Sequence, residues 1–270
     1  MNEMEKESKI NVDRVTNGGE GKAIISAKQV KTLLRCEYLY HVEYIQKKKF
    51  PRNEAMTLGL EVHERVSGPL MRGLSLDEAK EANKDDPFSN VVYSLLPRDK
   101  KPIVEQKMYV DMGDYLRVVI PDILYDDSIY DLKTTSSEYS YKTVYSDDIV
   151  QLHYYWETLG GNREAYVIKL LLPKFYGKTH VGEENGNPET NGKEGRENSK
   201  TLNLSSGVAA YANLFRIKIS KEVIGDIHFA ERRILEILDG APPIPSPGRV
   251  CRTCPYNQAC PFSTYRMDEG

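Results

Sequence analysis

Four cysteines occur in the chain, and their placement is uneven: Cys36 stands alone near one end, while Cys251, Cys254 and Cys260 fall within ten residues near the other. Four thiolates are enough to enclose a tetrahedral metal or a four-iron cluster. A group that used all of them would tie together segments more than two hundred residues apart. By analogy with a disulfide closing so long a loop, such a tie is worth up to about 5 kcal/mol. Two disulfides are the other use of four cysteines, but bridged secreted proteins carry an export signal and a denser cysteine pattern.

The polar start, MNEMEKESKINVDRVTNGGEGK, lacks the apolar stretch of a signal peptide, so residues 1–22 are expected to form a disordered tail. No apolar run approaches the roughly 18 residues of a membrane span, which points to a cytoplasmic protein with no membrane partner. With 270 residues the chain can bury a sizeable core. Its net charge of −3 gives no global sign of a nucleic-acid partner. Locally, however, Lys28 to Arg52 contains seven Lys or Arg against two Glu. A solvated helix face explains such a stretch unless a second indicator is present.

Hydrophobic spacing organises the rest. Ser26 precedes Val30, Leu33, Leu34, Tyr38, Val42 and Ile45 at helical intervals and is expected to cap that helix. Further helices are expected over 53–74 and 76–83, giving a helical region from 23 to 102 that contains Cys36. Three β-rich runs follow as a meander: VEQKMYV, YLRVVIPDILY and SIYDLKTT. A helix over 147–159, then the apolar YVIKLLLPKF, implies a mixed sheet. Residues 181–200 hold almost nothing apolar and are expected to be a flexible insertion. NLFRIKIS alternates like an edge strand, and KEVIGDIHFAERRILEIL reads as a helix before the Pro-rich approach to the cysteine segment, 241–270.

Chemistry concentrates in VVIPDILYDDSIYDLKTT. A two-residue loop at Asp126-Asp127 pairs Tyr125 with Ser128, sets Asp122 across from Asp131, and puts Ile120 opposite Lys133. Period-two alternation leaves Asp131 and Lys133 on one face. Two facing carboxylates repel, so the pair calls for a cation, and oxygen donors suit Mg²⁺ or Mn²⁺. Lys133 beside them can stabilise charge growing on a phosphoryl group. Ordinary surface charges on a solvated hairpin remain the plain alternative. His63 lies on a helix, where a lone histidine is more often a surface or core residue than a ligand, and Gln151 and Tyr155, four apart, share a helical face that suits either contact with DNA or a partly buried amphipathic helix.

Taken in order, these motifs resemble the iron–sulfur branch of the RecB-like nucleases in the PD-(D/E)XK superfamily, and in particular the CRISPR-associated exonuclease family called Cas four. They run Cys36, Gly59 with His63, Pro121-Asp122, Asp131-Leu132-Lys133, Gln151 with Tyr155, then Cys251, Cys254 and Cys260. The resemblance spans roughly residues 26–262, outside the tail and the 181–200 insertion. It implies an α/β fold with a restriction-endonuclease-like core over 103–240, a helical region before it and an iron–sulfur segment after it. It implies that His63, Asp122, Asp131 and the Leu132 carbonyl hold Mn²⁺ or Mg²⁺, with Lys133 as catalytic lysine and Gln151 and Tyr155 on DNA. Asp131 stands where many members carry Glu. Glu105 resembles a glutamate of the first core strand, with its role left open. The resemblance favours a 4Fe–4S cluster on the four cysteines over zinc, and 5′-to-3′ hydrolysis of single-stranded or frayed DNA in spacer acquisition, with CRISPR integrase proteins as partners. In that light Lys47, Lys48 and Lys49, beside Tyr38, Tyr40 and Tyr44, become candidates to grip and stack on single strands. A nuclease of recombination or repair, and a non-catalytic iron–sulfur DNA-binding subunit, are the alternative readings.

Overall fold

A computed structural model describes residues 21–50, 54–172, 196–203 and 209–264. The tail expected at 1–22 lies outside these apart from Gly21 and Lys22, and so do residues 181–195 of the expected insertion. The chain folds as mixed α/β, with two sheets that belong to two compact units. One unit comprises 1–48, 107–120 and 226–270, and the other 49–106 and 121–225. Among the described residues no helix is long and apolar enough to cross a membrane.

The first unit carries a three-stranded sheet of order β1-β4-β3, with β1 at Ala23–Ser26, β3 at Met108–Asp111 and β4 at Tyr115–Val119. Strands β3 and β4 form a hairpin closed by the Met112 N–H to the Tyr115 carbonyl, and Gly113 at the turn has φ 95°, a conformation that favours glycine. Helix α1, Ala27–Arg35, begins at Ser26 as expected: the Ser26 hydroxyl accepts the Gln29 N–H, and the Gln29 side chain accepts the Ser26 N–H in return. The helical pattern does not run on unbroken. Cys36 is extended (φ −171°, ψ 122°), and α2, Glu37–Tyr40, restarts after it and passes into a π-helical turn at His41–Ile45. Helix α8, Lys221–Leu238, presents Glu231 to β4, where it pairs with the fully buried Arg117.

The second unit is built on a six-stranded sheet of order β2-β5-β6-β7-β9-β8. Its strands are β2 at Ile103–Val104, β5 at Ile123–Leu124, β6 at Ser128–Thr135, β7 at Glu164–Leu171, β8 at Arg196–Asn203 and β9 at Ala209–Arg216. The β6–β7 pair is parallel and its neighbours are antiparallel, so the sheet is mixed as expected. Helices α3 (Glu54–Met71), α4 (Leu76–Ala82) and α5 (Pro87–Tyr93) supply Val62, Val66, Leu70, Leu76, Phe88 and Val92 to a core shared with Leu132, Ile168 and Leu170 of the sheet. Helix α7, Ser146–Thr158, packs on β6 and β7 and meets the alternate side chains of β6, while the short α6, Glu138–Tyr141, lies before it.

Three expectations are corrected. The run VEQKMYV is not one strand of a meander, since β2 ends at Val104 and β3 begins at Met108 in another sheet, and neither is YLRVVIPDILY: β4 ends at Val119 and β5 begins at Ile123, again in different sheets. Pro121 between them has no N–H to give to a ladder. Strand β9, read as an edge, is interior, and β8 takes the edge beside it. Residues 196–200, counted within the flexible insertion, form the first part of that β8 strand, because pairing with β9 satisfies the backbone of a sequence that lacks apolar side chains.

Candidate metal centre and cysteine recess

The register of the Asp hairpin is the expected one. Ile123 pairs with Tyr130 and Leu124 with Ile129, and the Tyr125 N–H reaches the Ser128 carbonyl at 2.8 Å. That register carries Asp122 to the level of Asp131. The ladder runs through Ile123 and Leu124 and does not extend to Ile120, which is 43 % exposed. Asp122 closes the hairpin end with its side chain, Oδ2 accepting the Leu132 N–H at 2.6 Å. Its backbone is held by Glu105, whose N–H is directed at the carbonyls of Pro121 (3.1 Å) and Asp122 (3.3 Å). Glu105 does this at φ 47°, a left-handed conformation that costs a residue with a Cβ about 1–2 kcal/mol.

Asp131 is fully buried. Its Oδ1 accepts bonds from Lys133 Nζ at 2.8 Å and Gln151 Nε2 at 2.7 Å, and Gln151 also reaches the Tyr155 hydroxyl at 3.3 Å. The other oxygen, Oδ2, lies 2.7 Å from Lys133 Nζ as an ion-pair contact but has no partner with hydrogen-bond geometry among the described residues. His63 Nδ1 stands 3.9 Å from Asp122 Oδ1. It is brought there by α3 approaching β6 closely at Gly59, one helical turn earlier, where an added Cβ would sit 2.8 Å from Thr134 Oγ1. Asp122, Asp131, Lys133, His63, Leu132, Gln151 and Tyr155 are therefore gathered in one locality.

Electrostatics follow from that crowding. Burial and the neighbouring Asp131 push the Asp122 carboxyl up to about 6, against the opposing pull of His63, Lys133 and the Leu132 N–H. Burial works to lower the Lys133 amine, but Asp131 and Asp122 overcome it and hold Lys133 above its ordinary value, with Asp148 adding to the effect. Burial and both carboxylates push the Tyr155 hydroxyl up. Asp148 brings in residues that the sequence reading missed. It pairs with Lys169 at 2.9 Å, both largely buried, and Lys169 is the register partner of Lys133 on β7. A lysine inside the otherwise apolar YVIKLLL was the available signal, since such a charge is almost never buried without a partner.

The two carboxylates, the imidazole and the Leu132 carbonyl are oxygen and nitrogen donors of the kind that hold Mg²⁺ or Mn²⁺. Among the described residues the buried Asp131 Oδ2 has the Lys133 ion-pair contact but no partner in hydrogen-bond geometry, and such an oxygen fits a cation ligand. Among the described residues no three His, Cys, Asp or Glu side chains are drawn together to ligating distance; at Asp131 the near neighbours are Lys133 and Gln151.

All four cysteines are free of disulfides and line one recess, together with Leu39 and Tyr256. The local cause is a succession of tight turns in which the N–H groups of Cys251, Cys254, Asn257, Cys260 and Ser263 each bond to the carbonyl three residues earlier. Two short 3₁₀ turns, Arg249–Thr253 and Asn257–Ala259, alternate with extended residues at Cys254 and Cys260, and all five positions line the recess. Burial pushes the Cys254 thiol up, as do Cys260 and Cys36, while the Tyr256 N–H and Arg35 work the other way. Four sulfurs facing one small space fit a tetrahedral donor set, though they are not drawn together to ligating distance.

Of the proposed DNA-gripping residues, Lys47, Lys48 and Lys49 are exposed, but Lys48 is directed at Tyr256, 3.2 Å from its hydroxyl and 5.0 Å from the ring centre. Tyr40 cannot stack on DNA: it is fully buried against Tyr44. Tyr38 packs edge-on to Phe262. Gln151 and Tyr155 turn toward Asp131.

No family model matches the chain, and no curated protein matches it. Among solved structures, one described as "Crystal structure of SSO0001" is similar over 94 % of this chain and 94 % of that chain, at 13 % identity and a TM-score of 0.42. A likeness that distant carries no argument about what this chain does.

Proposed function

We propose that the chain is a metal-dependent deoxyribonuclease with a PD-(D/E)XK-type centre, acting on single-stranded DNA or frayed ends, and that its four cysteines hold a 4Fe–4S cluster. The observation that carries the reading is the buried Asp131 carboxylate, level with Asp122 across the hairpin and 2.7 Å from Lys133. Two crowded acids and a lysine carry a desolvation cost, and functional sites are where groups with mutually perturbed pKa values cluster. Polarity from 5′ to 3′, service in CRISPR adaptation and integrase partners rest on the motif resemblance alone.

In this reading His63, Asp122, Asp131 and the Leu132 carbonyl would hold a divalent ion, and the chemistry it would supply when bound is a lowered water pKa and neutralisation of phosphoryl charge. The chain's own groups do the rest. The Leu132 N–H fixes one Asp122 oxygen and leaves the other turned toward His63. Gln151 orients Asp131, and the Tyr155 hydroxyl in turn orients Gln151. Lys133, kept protonated by the acids around it, offers a fixed positive charge to the non-bridging oxygens of a bound phosphodiester.

The test is cleavage of end-labelled single-stranded DNA in manganese. Asp131→Asn and Lys133→Met are expected to slow cleavage by on the order of 100-fold or more while their circular dichroism matches the parent. Cleavage at the parent rate by both variants overturns the site. A parent that binds DNA without cutting it favours a non-catalytic subunit instead.

A further inference from the structure

Cys36 is placed by its two sequence neighbours. Arg35 Nη2 donates to the Thr253 carbonyl at 2.9 Å and to the Thr253 hydroxyl at 2.8 Å, and Thr253 immediately precedes Cys254. On the other side, Glu37 is buried, and its two oxygens are divided: Oε1 accepts from Arg233 Nε at 2.9 Å and Oε2 from the Ile244 N–H at 2.7 Å. Arg233 also donates to the Pro242 carbonyl at 2.7 Å, so α8 and the segment leading to the cysteines are fastened to the same carboxylate. Between these two clasps the backbone of Cys36 leaves the helix for an extended conformation. A continuous helix would rotate residue 36 by a fixed angle of about 100° from residue 35; the break frees it to take its place in the recess.

The opposite wall is likewise held by contacts of the polypeptide itself. Backbone bonds at 248–251, 251–254, 254–257, 257–260 and 260–263 fix the turn succession. Tyr38 closes onto Phe262 with ring centres 4.9 Å apart, and onto Tyr256 at 6.3 Å. These contacts involve neither thiols nor metal.

We infer that the polypeptide assembles the four-thiolate recess before any cluster enters, with Arg35 and Glu37 as the positioning residues that set Cys36 against the 251–260 turns. The inference rests on the proposed cluster, and it reverses one expectation of a simple metal staple: the segment from 241 onward stays docked when iron leaves. Groups that orient metal ligands in this way set how tightly a site holds, commonly by about 10–100-fold.

The experiment compares anaerobically purified parent with Arg35→Ala, Glu37→Gln and the milder Thr253→Val, checking each fold by its thermal melt. Iron per chain and visible absorbance are read first, then the rate of iron loss to a chelator, then hydrogen exchange of the 248–263 amides in chelated parent. Expected are a brown parent, iron loss about 10-fold faster in the variants, and amides that remain protected after iron is removed. A brown parent whose folded variants release iron at the parent rate, or whose amides lose protection on chelation, overturns the inference. A parent that purifies without iron overturns the cluster reading beneath it.

Discussion

Replacing Glu231 by glutamine removes one charge from the most deeply buried ion pair among the described residues of the first unit. Arg117 is completely buried and Glu231 is 2 % exposed. Their bonds are paired, Nε to Oε1 and Nη2 to Oε2, both at 2.6 Å, and the Tyr115 hydroxyl adds a third at 2.8 Å to Oε2. Two charges about 4 Å apart attract by roughly 4 kcal/mol at an effective dielectric near 20. The Glu231→Gln variant keeps the shape of the side chain and removes the carboxylate charge that faces the buried guanidinium, and taking one partner from a buried pair usually costs about 3–5 kcal/mol. Against a total stability of about 5–15 kcal/mol, that is a large share. Urea unfolding followed by circular dichroism should show the midpoint falling with an unchanged slope. The double variant Arg117→Met/Glu231→Leu should recover most of the loss, because it removes the desolvated charge along with its partner. A Glu231→Gln stability within about 1 kcal/mol of the parent, on the scale where single substitutions commonly cost about 0.5–3 kcal/mol, would refute the argument that this pair is closed to water.

Metal-free protein should lose stability as pH rises from about 4 to 7. The Asp122 carboxyl, held up to about 6 by burial and Asp131, folds more easily when protonated, so its contribution is complete below its unfolded value and is lost on ionisation. The shift corresponds to about 3 kcal/mol, and melts of Asp122→Asn should be flat over the same range apart from other groups. Gly59→Leu should lower stability by about 1–3 kcal/mol and weaken manganese binding, read by thermal melts and calorimetry, because its side chain meets Thr134 and pushes α3, with His63, off β6. Ser26→Ala should cost about 1 kcal/mol in a urea melt through loss of the α1 cap.

The carboxylate hairpin was legible because its register depends on local counting: a two-residue loop at 126–127 and a period of two determine which residue faces which. Ser26 was legible for a similar reason, since a cap is a matter of four consecutive residues. What was hidden depends on partners distant in sequence. Alternation in NLFRIKIS describes a strand but not its neighbours, so the interior place of β9 required β8, whose polar sequence carries no strand signal. The separation of β4 from β5 was written in Pro121, yet which sheet each would join was not. Asp148 and Lys169 look like unrelated charges until α7 lies over β7. Likewise, the one-plus-three cysteine spacing supplied the donor count, while the role of Arg35 and Glu37 in placing Cys36 emerged only from contacts more than two hundred residues away.

The decisive measurement is calorimetric titration of Mn²⁺ into parent and Asp131→Asn at a pH of about 7.5, where the raised Asp122 carboxyl is ionised, with Lys133→Met as a variant that keeps both acids. One site per chain in the parent and in Lys133→Met, and none in Asp131→Asn, is the predicted pattern. Equal manganese binding by parent and Asp131→Asn would contradict the claim that the facing carboxylates exist to hold a cation.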